Sequence, residues 1–165
     1  MRNIAICIVL FALAVPAIAQ NPEANYYGHG YVQFGIGRCS NIPCGTVHTL
    51  GAGGEVFVYR GLAAGGEGGY GWAQDALSAG AGLFSAGPSY HFKGQGHSRR
   101  VVPFVGGGYS MLFRQMSVNG GNLGAGITIW PAQHVGIRLE GRWYHFTIAG
   151  LAANITAARF GVSFR

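Results

Sequence analysis

The chain has 165 residues, of which 30 are glycine, and only 10% are charged, with a formal net charge of +6. Soluble domains average about 25% charged residues and about 7% glycine, so this composition is atypical of them. After the N-terminal segment no apolar run reaches the roughly 18 residues that a membrane-spanning helix needs, which excludes helical spans. The basic residues are scattered apart from a cluster in residues 93–100, so the charge does not indicate nucleic-acid binding.

The N-terminus has the three parts of an export signal. Arg2 supplies a positive charge, residues 4–15 are apolar, and Ala17-Ile18-Ala19 has the small-x-small pattern that precedes cleavage. The apolar run is too short to span a bilayer as a helix. We therefore expect residues 1–19 to be a cleaved signal peptide and residues 20–165 to form a single exported domain.

The exported part contains eight segments with β-strand alternation. The predicted strands are residues 29–37, 46–59, 62–72, 78–92, 101–111, 121–130, 135–144 and 154–165. Turn signals separate them, such as Arg60-Gly61, and the predicted loops include residues 38–45, 112–119 and 147–153. Short links between successive strands favour an antiparallel up-and-down sheet. Low charge, high glycine and eight strands together predict an all-β, eight-stranded transmembrane β-barrel.

Pro88 is unusual in this pattern because it lies inside the fourth predicted strand. Proline cannot donate a ladder hydrogen bond, and a closed barrel has no free edge at which to place it. We expect a bulge or a missing hydrogen bond near this residue.

The strand at residues 135–144 indicates which way the alternation faces. Its odd positions are apolar apart from Gly141, while its even positions include Arg138, Glu140 and Arg142. In a barrel the apolar face suits lipid and the charged face suits the interior. The same facing rule places six charged residues inside: Glu55, Glu67, Arg138, Glu140, Arg142 and Arg159. Since charges away from water need partners, we expect one paired network, with a gate or an ion path as the alternative.

Aromatic residues fall near both ends of the predicted strands. With the N-terminus on the periplasmic side, the predicted outer rim contains Trp72, Phe113, Trp143 and Phe146, and the inner rim contains Tyr59, Tyr90, Phe92, Trp130 and Phe164. Aromatic girdles at both membrane interfaces are typical of outer-membrane barrels.

Two cysteines, Cys39 and Cys44, remain after the signal and lie in the first predicted loop. They lack the acidic or histidine neighbours of a metal site, and an exported protein meets an oxidising compartment. We therefore favour a disulfide, which for so short a loop contributes about 2 kcal/mol.

The sequence offers little sign of catalysis. The six histidines lie mostly at predicted strand ends and turns, and none stands at a metal-ligand spacing from another. Ser89 and His91 share one strand face, but no acidic residue lies nearby in the sequence to complete a hydrolytic triad. We therefore predict no catalytic residues, no metal site and no cofactor, and expect that the protein is not an enzyme.

The export signal and residues 87–92, 102–108, 137–140 and 160–164 together carry a family resemblance that covers the mature chain. In these segments the chain resembles the family of small eight-stranded outer-membrane β-barrels, of the OmpA transmembrane-domain and OmpX-like type. It implies a monomer in the bacterial outer membrane, in contact with membrane lipid and lipopolysaccharide and inserted by the barrel assembly machinery. Relatives end on an aromatic residue, whereas here Phe164 is followed by Arg165.

The expected function is that of an integral outer-membrane protein with a structural or surface-interaction role. Eight strands enclose a space that side chains fill, which argues against a general porin. The alternatives are an outer-membrane enzyme that hydrolyses or transfers acyl chains of lipid A or phospholipid, a narrow-channel porin, and a secreted barrel that binds an apolar ligand. The charged interior opposes the last of these, because such a cavity is mainly apolar.

Overall fold

The computed structural model describes residues 28–41, 44–73, 80–92, 100–114, 117–148 and 150–165. Its strands are β1 (Gly28–Ser40), β2 (Thr46–Tyr59), β3 (Leu62–Ala73), β4 (Ala81–His91), β5 (Val101–Phe113), β6 (Ser117–Ile129), β7 (Val135–Ile148) and β8 (Leu151–Phe164). Each strand pairs antiparallel with its sequence neighbours, and β1 pairs with β8 to close the barrel. The predicted fold class is confirmed. The predicted signal peptide lies outside the described residues.

No helix within the described ranges is long and apolar enough to cross a membrane.

The alternation in β7 faces as the sequence predicts. Leu139 exposes 41% of its surface to the outside of the barrel, while the neighbouring Arg138 exposes 1%. Glu140 is also buried, and Arg142 is half-buried. Because successive side chains of a strand point to opposite faces, apolar side chains cover the outside and charged ones the inside.

The two-residue turn between β2 and β3 forms where the sequence predicts it. Arg60 and Gly61 both have positive φ angles, 38° and 95°. Positive φ at both central residues is what a tight hairpin turn with the right-handed strand twist requires. Tyr59 and Leu62 pair directly across this turn.

Several strands extend beyond their predicted ends. β1 continues to Ser40, and β5 and β6 continue into the predicted loop at residues 112–119. Most of the predicted loop at residues 147–153 also belongs to β7 and β8. Backbone pairing continues there because a ladder needs only hydrogen-bonding partners, whereas the sequence prediction depended on apolar alternation. The fourth strand is described from Ala81, and the preceding residues 78–79 lie outside the described ranges.

The β4–β5 ladder is interrupted at Pro88. Ala86 pairs with Tyr109 and Ser89 pairs with Gly106, but no partner across this ladder is assigned to Gly87 or Pro88. The register is the same on both sides of the interruption, so the pairing is lost without a bulge. This matches the expected missing hydrogen bond at proline.

The interior of the barrel has two parts. We call the end that carries Gly28 and Phe164 the terminal end. A network of charged residues fills the terminal end and the middle of the barrel, and an apolar cluster fills the opposite end. The two parts of the interior therefore differ in chemistry, with charged side chains in one and packed apolar side chains in the other.

Candidate functional site: the charged interior

The six charged residues that the sequence places inside the barrel lie together there. Arg138 contacts Glu55 at 2.9 Å and Glu140 at 3.4 Å. Arg142 contacts Glu67 at 3.4 Å and also pairs with Glu140. Arg159 pairs with Glu67 and lies 3.8 Å from Glu140. Each arginine therefore meets two carboxylates, and the formal charges of the six groups cancel.

Four strands contribute these residues. β2 carries Glu55, β3 carries Glu67, β8 carries Arg159, and β7 carries the other three. Glu140 and Arg159 are direct cross-strand partners, and Arg138 reaches across the barrel to Glu55. The ion pairs of the network therefore connect strands on opposite sides of the barrel, such as β7 and β2.

Arg138 is the most enclosed of the charged residues. Its guanidinium lies 3.8 Å from the ring centre of Phe104 and 4.5 Å from that of Tyr31. The cation is therefore held between two aromatic faces, which attract it electrostatically. Its Nη1 also lies 3.4 Å from Nε2 of His29.

The network contains polar residues that were not among the predicted site residues. Gln33 donates a 2.8 Å hydrogen bond to Glu67, and Tyr31 lies 3.4 Å from the same carboxylate. Both side chains are buried. The sequence does indicate that these two side chains point inward. Both occupy odd-numbered positions of β1, whereas the apolar Val32 and Phe34 occupy the outward even positions.

The structure brings an acid to the Ser89–His91 pair. Glu55 accepts a 2.7 Å hydrogen bond from Ser89 and lies 2.5 Å from Nε2 of His91, and Ser89 lies 3.3 Å from the same nitrogen. The sequence alone does not reveal this partner, because Glu55 lies 34 residues from Ser89 in the chain. In a hydrolytic triad the hydroxyl and the carboxylate contact opposite ring nitrogens, whereas here both contact Nε2. This geometry suits a structural hydrogen-bond cluster and does not activate Ser89.

The space left within the network is small. A cavity of about 40 Å³ is lined by Glu55, Glu67, Glu140, Arg138 and Arg142, among others. Such a volume holds about two or three water molecules. Within the described residues, no group of three histidine, cysteine or acidic side chains is placed to hold a metal ion.

An apolar cluster closes the end of the barrel opposite the terminal end. We call it the plug, and it consists of Cys44, Val47, Ala73, Leu83, Tyr144, Phe146, Ala153 and Ile155. Cys39 packs against it and forms a disulfide with Cys44, with 5.9 Å between their Cα atoms. The favoured disulfide is therefore present in the structure, and one of its sulfur atoms belongs to the plug.

The predicted aromatic rims are wrong at two positions. Phe146 and Trp130 expose only 1% and 4% of their surfaces and point into the barrel. Phe146 belongs to the plug, and the guanidinium of Arg165 lies 4.3 Å from the ring centre of Trp130. Both residues have the even numbering of the inward positions on β6 and β7, so strand parity predicts their direction better than their closeness to strand ends does.

The other rim residues face outward. Tyr59, Tyr90, Phe92 and Phe164 are exposed near the terminal end, and Phe113 and Trp143 are exposed near the opposite end. Trp72 is half-buried and stacks on His48.

A small cluster of polar side chains, His145, Asn154 and Thr147, lies on the outer surface near the plug end. His145 Nδ1 is 2.7 Å from Oδ1 of Asn154, its cross-strand partner, and the ring of Trp143 stacks on His145. Thr147 is exposed two residues further along the same face. Since Nδ1 donates to the amide oxygen, Nε2 of His145 is left as a potential base.

Comparison with known proteins places the chain by its fold. No family model and no curated protein matches the sequence. Among solved structures, Neisserial surface protein A has a TM-score of 0.65 and 13% identity, covering 83% of this chain and 96% of that chain. The outer membrane enzyme PagL has a TM-score of 0.58 and 18% identity, covering 79% and 97%. The N-terminal β-barrel domain of Pseudomonas aeruginosa OprF has a TM-score of 0.57 and 16% identity, covering 82% and 96%.

These neighbours define the class of fold. The chain has the fold of the eight-stranded outer-membrane β-barrels, and the matches cover nearly the full length of each neighbour. They include a surface protein and an enzyme by their names, so the fold does not determine a function.

Proposed function

We propose that this chain is an integral outer-membrane β-barrel protein with a structural or surface-interaction role. The observation that carries the proposal is the inversion of the usual arrangement of polarity: Glu55, Glu67 and Arg138 are buried, while large apolar side chains cover the outside. A barrel in water would place charges outside, because exposing a continuous apolar belt to water is unfavourable. The exposed belt includes Val32, Phe34, Leu50, Tyr70, Phe84, Val105, Leu123, Leu139 and Phe160.

The aromatic residues support an orientation in the membrane. Tyr59, Tyr90 and Phe164 would lie at the periplasmic interface, and Trp143 and Phe113 at the outer interface. The proposed surroundings are outer-membrane lipid and lipopolysaccharide, and the barrel assembly machinery would insert the chain as a monomer. We also propose membership of the OmpA- and OmpX-like group, on the basis of the resemblance described above.

The filled interior favours a structural or surface role over transport. The network leaves a cavity of only about 40 Å³, and the plug closes the opposite end of the barrel. A hydrated ion or a solute would have to displace paired charges and packed apolar side chains. A channel function would therefore require a large rearrangement of the interior.

Membrane insertion is tested by expressing the full chain with its signal and separating envelope fractions. We expect the protein in the outer-membrane fraction, with gel migration that differs between unheated and boiled samples. Recovery of the protein as a soluble periplasmic species would refute the proposal. In planar bilayers we expect no steady large conductance, and observing one would refute the filled interior.

A second candidate is a lipid-modifying enzyme, and the outward His145–Asn154 pair is the observation that favours it. The amide orients the imidazole, and Nε2 would take the proton of the Thr147 hydroxyl as the oxygen attacks an ester carbonyl of a neighbouring lipid. The ester C–O bond then breaks, and the lipid alcohol leaves with that proton from Nε2, while the acyl group stays on Thr147. Water would then release the acyl group from Thr147. The neighbour PagL is described as an outer membrane enzyme.

Incubation of the purified protein with phospholipid or lipid A in mixed micelles tests this candidate. Release of an acyl chain that is abolished in Thr147→Val and persists in Thr46→Val, a threonine at an outward position of β2, would support it. Lipids that remain unchanged after incubation with the folded protein would rule it out.

A further inference from the structure

The outer wall of the barrel contains an apolar trough. Its floor is made by small outward residues of three adjacent strands, Gly107 on β5, Ala125 on β6 and Gly141 on β7. Ala125 and Gly141 are direct cross-strand partners, so the small residues of β6 and β7 lie side by side. The trough has a volume of about 620 Å³.

Larger side chains form its walls. Leu62, Tyr90 and Val105 stand toward the terminal end, and Leu123 and Trp143 stand toward the plug end. Tyr90 and Trp143 also belong to the two aromatic rims, so the trough lies between one rim and the other. It is open to the outside of the barrel along its length.

The lining offers little for a polar ligand. Ser89 and Arg142 contribute atoms to it, but Ser89 donates to Glu55 and Arg142 pairs with Glu140, both inside the barrel. The outward polar groups that remain are at the edge, at Thr156 and at the two rim aromatics. A long apolar ligand fits this chemistry.

We propose that the trough binds an acyl chain of a membrane phospholipid. The inference rests on the proposed membrane location, since the trough is continuous with the apolar belt around it. A chain lying in the trough contacts the floor and both walls, whereas a chain on the convex wall elsewhere contacts one surface. The additional dispersion contacts make the bound lipid exchange more slowly than its neighbours.

A second copy of the barrel suits the trough less well. The wall of a second barrel is convex, so it would touch the residues that border the trough along a narrow line and leave the floor of the trough unfilled. Specific protein interfaces need a close fit over roughly 800 Å² on each partner, which such a contact does not supply. A flexible chain can follow the depression instead.

Gly141→Leu fills the trough with little disturbance to the barrel. A Cβ added at Gly141 has the carbonyl oxygen of Ala125 as its nearest neighbour, at 4.0 Å. Gly68 on β3 is a matched control, because it is also an exposed outward glycine, no atom lies within 4 Å of an added Cβ, and it is outside the trough.

The test uses the full mature chain folded into vesicles of dioleoylphosphatidylcholine, extracted into mild detergent and weighed by native mass spectrometry. We expect wild type and Gly68→Leu to retain a single phospholipid on a monomer, and Gly141→Leu to lose it by about tenfold or more. Absence of retained lipid in wild type, or equal retention in Gly141→Leu, would overturn the inference. A dimer that Gly141→Leu dissociates would also overturn it, since a second copy would then fill the trough.

Flotation of the vesicles before extraction separates the two proposals. A chain that floats with the vesicles and shows heat-modifiable migration but retains no lipid contradicts the trough assignment alone. A chain that does not float contradicts both the membrane location and the lipid site.

Discussion

The two parts of the barrel interior are stabilised in different ways. In the charged network each group needs particular partners, as Arg138 does with Glu55 at 2.9 Å and Glu140 at 3.4 Å. In the plug, Leu83 and Phe146 need only neighbours that fill the space around them. The network should therefore be sensitive to any loss of charge, and the plug to loss of volume. Substitutions in each part can test this difference.

Arg138→Leu should have the largest effect on stability. It leaves Glu55 and Glu140 buried with one fewer cation, and removing one partner of a buried ion pair costs about 3–5 kcal/mol. The measurement is urea unfolding of the vesicle-embedded barrel, followed by the heat-modifiable band. A midpoint equal to wild type would show that Arg138 is not part of a buried network. Adding Glu55→Gln to Arg138→Leu should recover part of the loss, because the unpaired carboxylate is removed.

Leu83→Ala tests the plug and should cost about 2–3 kcal/mol. This is near the lower end for buried leucines, because Tyr144 and Phe146 line the same small pocket and can relax into the cavity. The same unfolding assay measures it. Leu83→Met, which keeps the volume, should stay near wild type, and a large loss in that variant would contradict a plug held by volume alone.

Replacing both Cys39 and Cys44 by alanine should cost about 2 kcal/mol, mainly by freeing the unfolded chain. Unfolding with and without reductant checks this value. Wild type should lose stability on reduction, and the double variant should not respond. If the unfolding midpoint of wild type is the same with and without reductant, the two cysteines are not bonded in the isolated protein.

Leu139→Val should have the smallest effect, within about 0.5 kcal/mol, because its side chain lies on the outer face next to Arg138. It is the neighbouring control for Arg138→Leu in the same assay. A loss similar to that of Arg138→Leu would mean that β7 has its faces reversed.

Much of the site follows from strand parity. Arg138, Glu140 and Arg142 share one parity in a strand with a clear apolar face, so their inward direction could be predicted without a structure. The rim predictions for Phe146 and Trp130 are wrong because they rest on closeness to strand ends, whereas the parity of both residues is inward. Strand ends were also underestimated, since backbone pairing outlasts apolar alternation.

The partners of Ser89 and His91 show what parity cannot predict. Glu55 shares their hydrogen-bond cluster although it lies two strands earlier in the chain. Parity gives the face of each residue, but the height at which two inward residues meet depends on the stagger between strands around the whole barrel. The same reason explains why the trough over Gly107, Ala125 and Gly141 was not anticipated.

The sequence by itself therefore determined the number of strands, the apolar outer face and the identity of the charges inside. These depend on local alternation and turn residues, which act over a few positions. Only the tertiary structure decided which acid meets which base, that an apolar plug closes one end of the interior, and where the outer wall forms a trough. Those features depend on the register of eight strands closed on each other, a relation between distant residues that local patterns do not encode.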